Sequence, residues 1–545
     1  MTTSAKRYIF VMGGVLSGLG KGIAVSSIAR MLQSKGYRVS AMKIDPYVNV
    51  DAGTMNPTEH GEVFVTKDGL ESDQDIGNYE RFLHTELTRD SYMTTGQVYL
   101  SVIRKERNLE YRGKSVSPVP YIPEEVIRRI RHASKVTRAE IMIIEIGGTV
   151  GEYENLLFLE AARMMHLAEP QSVQFVLVSY LPIPAKLGEM KTKPTQHAVR
   201  ALNSAGIHPD FLLCRAERSL DMPRRERISV FCNMKAADII SAPDVDVIYQ
   251  VPLNYEAERL GEKILHKFGL KARRRDLADW RKFLQQSHRS KKLVSIGIVG
   301  KYFSTGEFTL SDSYVSVIES IKHAAWKLHR RPQITWLDAE EFEKDKRALS
   351  KLAKYDGVIV PGGFGSRGAE GKISAIKYVR KHRIPYFGLC YGFQLATVEI
   401  ARDVLKFRRA QTTEIDPRTP YPVIDMLPEQ RAKMAQRDFG GTMRLGEYRC
   451  RLRPGTLTRR AYGTTQVFER HRHRYEVNNR YRAVFERAGF IVAGVNPERN
   501  LIEIMELQNH PFFIGVQFHP EFKSYPLYPH PLFLAFVRAA AAKRG

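Results

Sequence analysis

The sequence predicts an α/β protein built from two doubly wound parallel-sheet domains. Three observations carry that expectation. Short β-branched runs alternate with helical patterns from residue 8 to 270, the signature of βαβ units whose parallel strands are covered on both faces. A polar, basic stretch without a strand, residues 271–292, interrupts the alternation, and a second α/β series opens directly after it. With 545 residues, 43% of them hydrophobic, the chain is long enough to fill two cores.

The first domain, residues 1–270, opens on "YIFVMGG", a strand, followed by "GIAVSSIARMLQSKG", a helix, and "YRVSAMKID", a second strand. "EIMIIEIGG" and "QFVLVSYL" read as buried strands because they are continuous and apolar. The linker, "KARRRDLADWRKFLQQSHRSKK" over 271–292, has an amphipathic helical middle. The second domain, 293–545, starts with the strand "LVSIGIVGKY" and continues through "YDGVIVPGGFG", "IPYFGLC" and "FIGVQFHPEF".

Composition narrows the function. No apolar run reaches the ~18 residues that cross a bilayer, and "MTTSAKRYIFVMGG" lacks a signal-peptide pattern, so no membrane partner and a cytoplasmic location are expected. The four cysteines are far apart, with no CxxC pair for zinc or disulfides. A net charge of +25 often accompanies nucleic-acid binding, but the basic residues are spread through "RRIRHASKVTR", "KARRRDLADWRK", "KLHRRP" and "ERHRHRYE". Such runs read first as solvated faces; a surface for polyanionic small molecules or nucleic acid is the other reading.

Chemistry in the first domain starts at "FVMGGVLSGLGKGIAVSS", where glycines surround Lys21 between strand and helix. Glycines let backbone N–H groups converge on an anion at a helix N-terminus, and the lysine adds a point charge. The match to G-x-x-x-x-G-K-[ST] is imperfect: Gly14 to Gly20 is one residue too long, and Gly22 stands where Ser or Thr would bind a metal. A glycine-rich turn without a ligand is the bland alternative. Glu145 closes the run "IMIIE" at the carboxyl edge of a strand, where open α/β sheets bind ligands. Asp75 lies in the acidic loop "ESDQDIG". Both are candidate Mg²⁺ ligands, since that ion takes oxygen donors and bridges phosphates.

In the second domain Cys390 sits in Gly-Leu-Cys-Tyr-Gly between a strand and a helix. One reading is a small buried core residue. The other is a nucleophile elbow in which Gly388 and Gly392 permit the tight turn and the helix N-terminus favours thiolate. A thiol nucleophile needs a base and an orienting acid; "GVQFHPEF" offers His519 and Glu521 two residues apart. "VIVPGGFG" ends a strand in Gly362 and Gly363, whose N–H groups could hold an oxyanion.

On these motifs the chain resembles the CTP synthase family. "GGVLSGLGKGI", "MKIDPYVNVDAGTMNPTEHGEVFVT", "EIGGTVGE", "KTKPTQH" and "FCNM" are similar to its synthetase domain in that order, and the Cys390–His519–Glu521 pattern with "GGTMRLG" and "ERHRHRYEVNN" to its class I glutamine amidotransferase domain. The resemblance implies a P-loop-like synthetase domain, a class I glutaminase domain, and amination of UTP to CTP with ATP and glutamine-derived ammonia. Carried over by position, ATP would meet Gly18, Leu19, Gly20, Lys21, Gly22, Ile23, Asp75, Pro243, Asp244 and Val245. Asp75 and Glu145 would hold Mg²⁺, and Lys43 would neutralise phosphate. UTP or CTP would meet Ser17, Glu152, Tyr153, Glu154, Lys191, Thr192, Lys193, Pro194, Thr195, Gln196 and Arg227. Glutamine would meet Gly363, Tyr391, Gly392, Phe393, Gln394, Glu414 and Arg474.

The resemblance also implies GTP as activator, with Arg367 and a 440–446 lid contributing, CTP as product inhibitor, a homotetramer, and an internal route for ammonia. The rest of "ERHRHRYE", Arg474 apart, is either part of the site or a solvated basic strand. Four positions depart from the family pattern: Arg227 for Lys, Glu152 for Asp, Ala52 for Pro, and Pro243 in the adenine loop. Two other readings stay open: an amidotransferase acting on a carboxylate such as a cobyrinic acid derivative, and a nucleic-acid-binding or filament-forming protein on the same fold.

Overall fold

The computed structural model describes residues 6–56, 61–186, 188–301, 304–305, 308–309, 311–427, 430 and 440–543, with 304–305, 308–309 and 311–312 as backbone only. Pro57 to His60 of the motif "NVDAGTMNPTEHGEVF" lie outside the described residues. Two compact units divide the chain: Met1–Asp51 with Asp75–Leu284, and Ala52–Gln74 with Gln285–Gly545. Among the described residues no helix is long and apolar enough to cross a membrane.

In the first unit seven parallel strands run in the order Tyr92–Thr94, Val39–Asp45, Ile141–Ile146, Arg7–Gly13, Val173–Tyr180, Phe211–Ala216, Ile239–Pro243. Ile141–Ile146 is buried throughout, as a strand covered on both faces must be. The chain leaves Arg7–Gly13 toward one edge and Ile141–Ile146 toward the other, so the topological switch point falls between these neighbours. Register then sets the chemistry: Glu145 pairs with both Val11 and Lys43, placing a carboxylate and an ammonium side by side at the carboxyl edge.

The stretch expected to be a linker is partly core. Helix Ala278–Arg289 presents Trp280, Phe283 and Leu284 on one stripe, all buried. Trp280 Nε1 donates to Tyr249 O at 2.8 Å, and its ring lies 5.5 Å from that of Phe82.

In the second unit a nine-stranded sheet has five parallel strands, Arg330–Asp338, Lys292–Gly300, Gly357–Val360, Tyr386–Leu389 and Phe513–Val516. Four antiparallel strands, Leu501–Leu507, Phe490–Asn496, Arg444–Leu452 and Gln466–His473, extend it. The parallel expectation describes the first five only. Asn496 pairs with Leu501 across a connection too short for a crossover, so that pair must be antiparallel.

The excursion 52–74 was expected in the first domain and instead packs in the second unit. Its hairpin, Phe64–Val65 against Glu71–Ser72, sets the Phe64 ring 4.8 Å from Phe522. Arg470 donates to Val65 O at 3.2 Å, and Arg472 pairs with Glu71 at 2.8 Å. Glu62 accepts the Ser316 N–H at 3.2 Å, beside the start of helix Val315–Lys327.

Candidate functional site

The Cys390 centre grows from the carboxyl ends of three adjacent parallel strands. Tyr386–Leu389 delivers Cys390, Gly357–Val360 delivers Gly362 and Gly363, and Phe513–Val516 delivers His519. Cys390 itself adopts φ 48°, ψ −98°, a conformation costing a non-glycine residue about 1–3 kcal/mol. Its N–H donates to Val516 O at 2.7 Å and helix Tyr391–Asp403 begins immediately, so two elements hold the elbow. Gly388 and Gly392 play a different part from the one expected. Neither has positive φ; each makes room. A Cβ on Gly392 would overlap Val360 O, and one on Gly388 would lie 2.6 Å from the Tyr386 hydroxyl.

His519 Nδ1 meets Glu521 Oε1 at 2.7 Å. Because the carboxylate can only accept when ionised, this contact puts the proton on Nδ1 and leaves Nε2 for the thiol. Burial disfavours the imidazolium, but Glu521 and the Cys390 sulfur outweigh it and push His519 up to about 10. Both residues line one cavity with Gly362, Gly363, Phe364 and Arg474. A Cβ built on Gly362 would stand 2.9 Å from His519 Cε1 and 3.8 Å from Cys390 Cβ, so the glycine edge abuts both.

The other expected glutamine residues divide. Arg474 reaches the cavity, held by Gln430 Oε1 at 2.9 Å and Thr442 Oγ1 at 3.0 Å. Tyr391 and Glu414 brace the glycine loop: the phenol donates to Gly365 O at 2.6 Å, and Glu414 accepts the Gly365 N–H at 2.6 Å. Phe393 packs beneath Gly515 and Gln394 donates to Tyr475 O at 2.8 Å, so neither side chain faces the cavity. Arg472 was passed over in the sequence. Its carbonyl accepts the Cys390 Sγ contact at 3.7 Å and its guanidinium lies 5.1 Å from the Phe364 ring centroid. The spacing in "RHRHR" held the signal: Arg472 and Arg474, two residues apart, both line the cavity. Arg470, His471 and His473 are buried, so that run is not a solvated strand.

In the first unit Lys43 bridges the two candidate metal ligands. Its Nζ contacts Asp75 Oδ2 and lies 3.0 Å from Glu145 Oε1, with Asp45 Oδ1 at 3.8 Å. Tyr79 donates to the other Glu145 oxygen. Burial raises the carboxyls of Glu145 and Asp45, and Asp45 Oδ2 has no hydrogen-bond partner among the described residues. Lys43 occupies the space between Asp75 and Glu145, and among the described residues no group of three or more His, Cys, Asp or Glu side chains is arranged to hold a metal ion. Lys21 follows Gly20, which takes φ 73° to start helix Lys21–Ser34, and donates to Gly148 O at 2.8 Å. Gly22 departs from the Ser/Thr of other phosphate loops for a visible reason: a Cβ there would overlap Asp75 Oδ1.

Leu19, Gly20 and Ile23 line one cavity with Pro243, Asp244 and Val245, so the structure brings these six candidates together. Arg215, which donates to Asp244 Oδ1 at 3.0 Å, and Tyr255 were not foreseen there. The pyrimidine candidates line neither cavity. Ser17, Tyr153, Glu154, Lys193 and Arg227 are exposed. Glu152 accepts the Thr149 N–H at 2.7 Å, Lys191 pairs with Glu189 at 2.6 Å, Thr195 bonds Ser179 at 2.9 Å and Gln196 donates to Thr192 at 3.2 Å. Pro194 occupies the first turn of helix Lys193–Ser204.

A family profile described as CTP synthase N-terminus matches residues 7–270, and one described as glutamine amidotransferase class-I matches 309–539. The curated CTP synthase of Gloeothece citriformis is 47% identical over 535 residues, covering 98% of this chain and 94% of its own. That of Pyrococcus furiosus is 50% identical over 536 residues, covering 98% of each. The chain belongs to the CTP synthase family.

A solved structure described as the glutaminase domain of Trypanosoma brucei CTPS with bound acivicin is 36% identical, covering 46% of this chain and 94% of that one, with a TM-score of 0.42. Membership in the CTP synthase family sets aside the cobyrinic-type amidase. One departure from the family pattern acquires a local reason. The Ala52 N–H donates to Glu71 O at 3.1 Å, a bond proline could not make.

Proposed function

We propose that this chain aminates UTP to CTP in the cytoplasm, with ammonia from glutamine made in the second unit and ATP used in the first. The observation that carries this reading is the strained Cys390 elbow sharing one cavity with a Glu521-oriented His519 and the Gly362–Gly363 edge. The Cys390 thiolate attacks the glutamine side-chain amide carbon. Backbone N–H groups of the glycine loop receive the oxyanion, and the His519 imidazolium gives its Nε2 proton to the departing ammonia. His519 then takes a proton from water as the thioester hydrolyses to glutamate. Arg474 pairs with the substrate carboxylate, while Glu414 holds the glycine loop in place.

In the first unit Lys21 and Lys43 neutralise the triphosphate while the γ-phosphoryl group moves to uracil O4; ammonia then adds at C4 and phosphate leaves. Asp75 and Glu145 would hold Mg²⁺, whose contribution is charge neutralisation on the phosphates. Lys43, paired here with both carboxylates, would turn to phosphate when nucleotide is bound. We assign GTP the role of activator, with Arg367 and residues 440–446 contributing, CTP that of inhibitor, and a tetramer as the working assembly. Arg367 is well exposed and Met443 lines the glutaminase cavity, which supports the first of these.

The test is UTP-to-CTP conversion followed by ultraviolet absorbance, once with glutamine and once with ammonium salt. Cys390→Ala should abolish only the glutamine-dependent reaction. Loss of both activities in a folded variant would refute this division of labour. Sedimentation with and without nucleotides checks the assembly, and glutamine hydrolysis by Arg367→Ala with and without GTP checks activation.

A further inference from the structure

Behind the glutaminase centre lies a closed cage of charge that the mechanism does not use. In strand Gln466–His473 the side chains of His471 and His473 point away from the face carrying Arg470 and Arg472, and Arg444 stands opposite His473 in register. Arg444 reaches Glu476 Oε1 at 3.2 Å and Glu503 Oε1 at 2.7 Å, and the side chains of all three are at most 3% exposed. The histidines complete the cage and fix its protons. His473 Nδ1 lies 3.1 Å from Tyr475 O, a pure acceptor, so Nδ1 carries the hydrogen. His473 Nε2 is then the acceptor for His471 Nδ1 at 2.9 Å. That leaves His471 Nε2 bare, facing Glu503 Oε2 at 3.7 Å; neither atom has a hydrogen-bond partner among the described residues.

Two buried acceptors facing each other need one proton between them. Burial favours this form, raising Glu503 and Glu476 and lowering both histidines. With one carboxyl protonated and the other balancing Arg444, the cage is neutral. The other titratable or charged groups facing it are Tyr448, Cys450, Arg499 and His519. The same strand touches the reacting pair through its backbone. The His519 N–H donates to Arg470 O at 2.8 Å, and Cys390 Sγ meets Arg472 O at 3.7 Å.

We propose that His471, His473 and a protonated Glu503 are positioning residues of the glutaminase: the Glu503 hydroxyl faces His471 Nε2 across 3.7 Å, and this row of buried groups sets the Arg470 and Arg472 carbonyls against His519 and Cys390. The proposal rests on Cys390 being the nucleophile. It is tested in the full chain by comparing Glu503→Gln with Glu503→Ala. The glutamine amide can accept from Arg444 and turn an N–H toward His471, as the protonated acid turns its O–H; alanine can do neither.

Glu503→Gln should hydrolyse glutamine within about twofold of the unaltered chain. Glu503→Ala should lose about ten- to a hundredfold in kcat, the scale of a small misplacement, with KM and ammonia-dependent CTP formation held within about twofold. Alkylation of Cys390 by iodoacetamide should slow in parallel. A Glu503→Gln variant as slow as Glu503→Ala would show that the carboxyl acts as an anion and overturn the proposal; so would normal kcat and alkylation in Glu503→Ala. Should the alanine variant fail to fold, His471→Asn retains the donor to His473 and loses only the link to Glu503. It should show the same kcat loss, and normal turnover would overturn the proposal. Glutamine hydrolysis by Cys390→Ala would instead refute the nucleophile assignment, an outcome distinct from each of these.

Discussion

A side chain on Gly392 has nowhere to go, because its Cβ would overlap the Val360 carbonyl oxygen that closes the neighbouring strand. Gly392→Ala should therefore cost about 1–3 kcal/mol in thermal or denaturant unfolding, and move Cys390 enough to slow its alkylation. Gly22 is constrained in the same way by Asp75. Gly22→Ser, which would restore the usual phosphate-loop residue, should displace that carboxylate and abolish ammonia-dependent CTP formation while leaving glutamine hydrolysis intact. At His519 the sign is explicit. Its folded value is raised to about 10, so the imidazolium and the stability it brings are fully present below its unperturbed value and are lost as pH rises through about 10. Removing the strongest raising group with Glu521→Gln should shift the alkaline limb of glutamine kcat to lower pH and reduce kcat by about 10²-fold, read from a pH–rate profile.

At the scale of elements, register and alternation decide which residues meet. Lys43 and Glu145 sit on adjacent parallel strands in register, so their contact is built into the sheet, and the lysine expected to meet phosphate also pairs with the metal candidates. Strand Gln466–His473 sorts its side chains by parity, arginines to one face and histidines to the other. Helix Val315–Lys327 starts beside a carboxylate from the excursion: Glu62 accepts both the N–H and the hydroxyl of Ser316. Glu62→Ala should lower the unfolding free energy by about 1–2 kcal/mol, the range of a lost cap. Ser316→Ala should cost less, since its N–H still donates; a double-mutant cycle on the second unit's unfolding measures the difference.

Taken as a whole molecule, the chain does not divide at one boundary. Residues 52–74 leave the first unit and return to it after packing beside the glutaminase cavity, where Gly53, Met55, Glu62 and Val63 form part of the wall. A fragment of residues 285–545 lacks those contacts. It should melt several degrees below the second-unit transition of the full chain and hydrolyse glutamine with reduced kcat/KM, as calorimetry and a glutaminase assay would register. The amino-acid sequence by itself determined the alternating strands and helices, the glycine-rich turn before Lys21, Cys390 with His519 and Glu521, and the family, because each is written in short-range periodicity or a compact motif. Only the tertiary structure decided that four strands of the second sheet run antiparallel, that Arg472 reaches the nucleophile, that Glu503 closes a cage with His471, and that 52–74 belongs to the second unit. Those outcomes depend on hydrogen bonds and ion pairs between segments as much as four hundred residues apart, such as Arg472 with Glu71, and local patterns carry no information about which distant partner a buried charge will find.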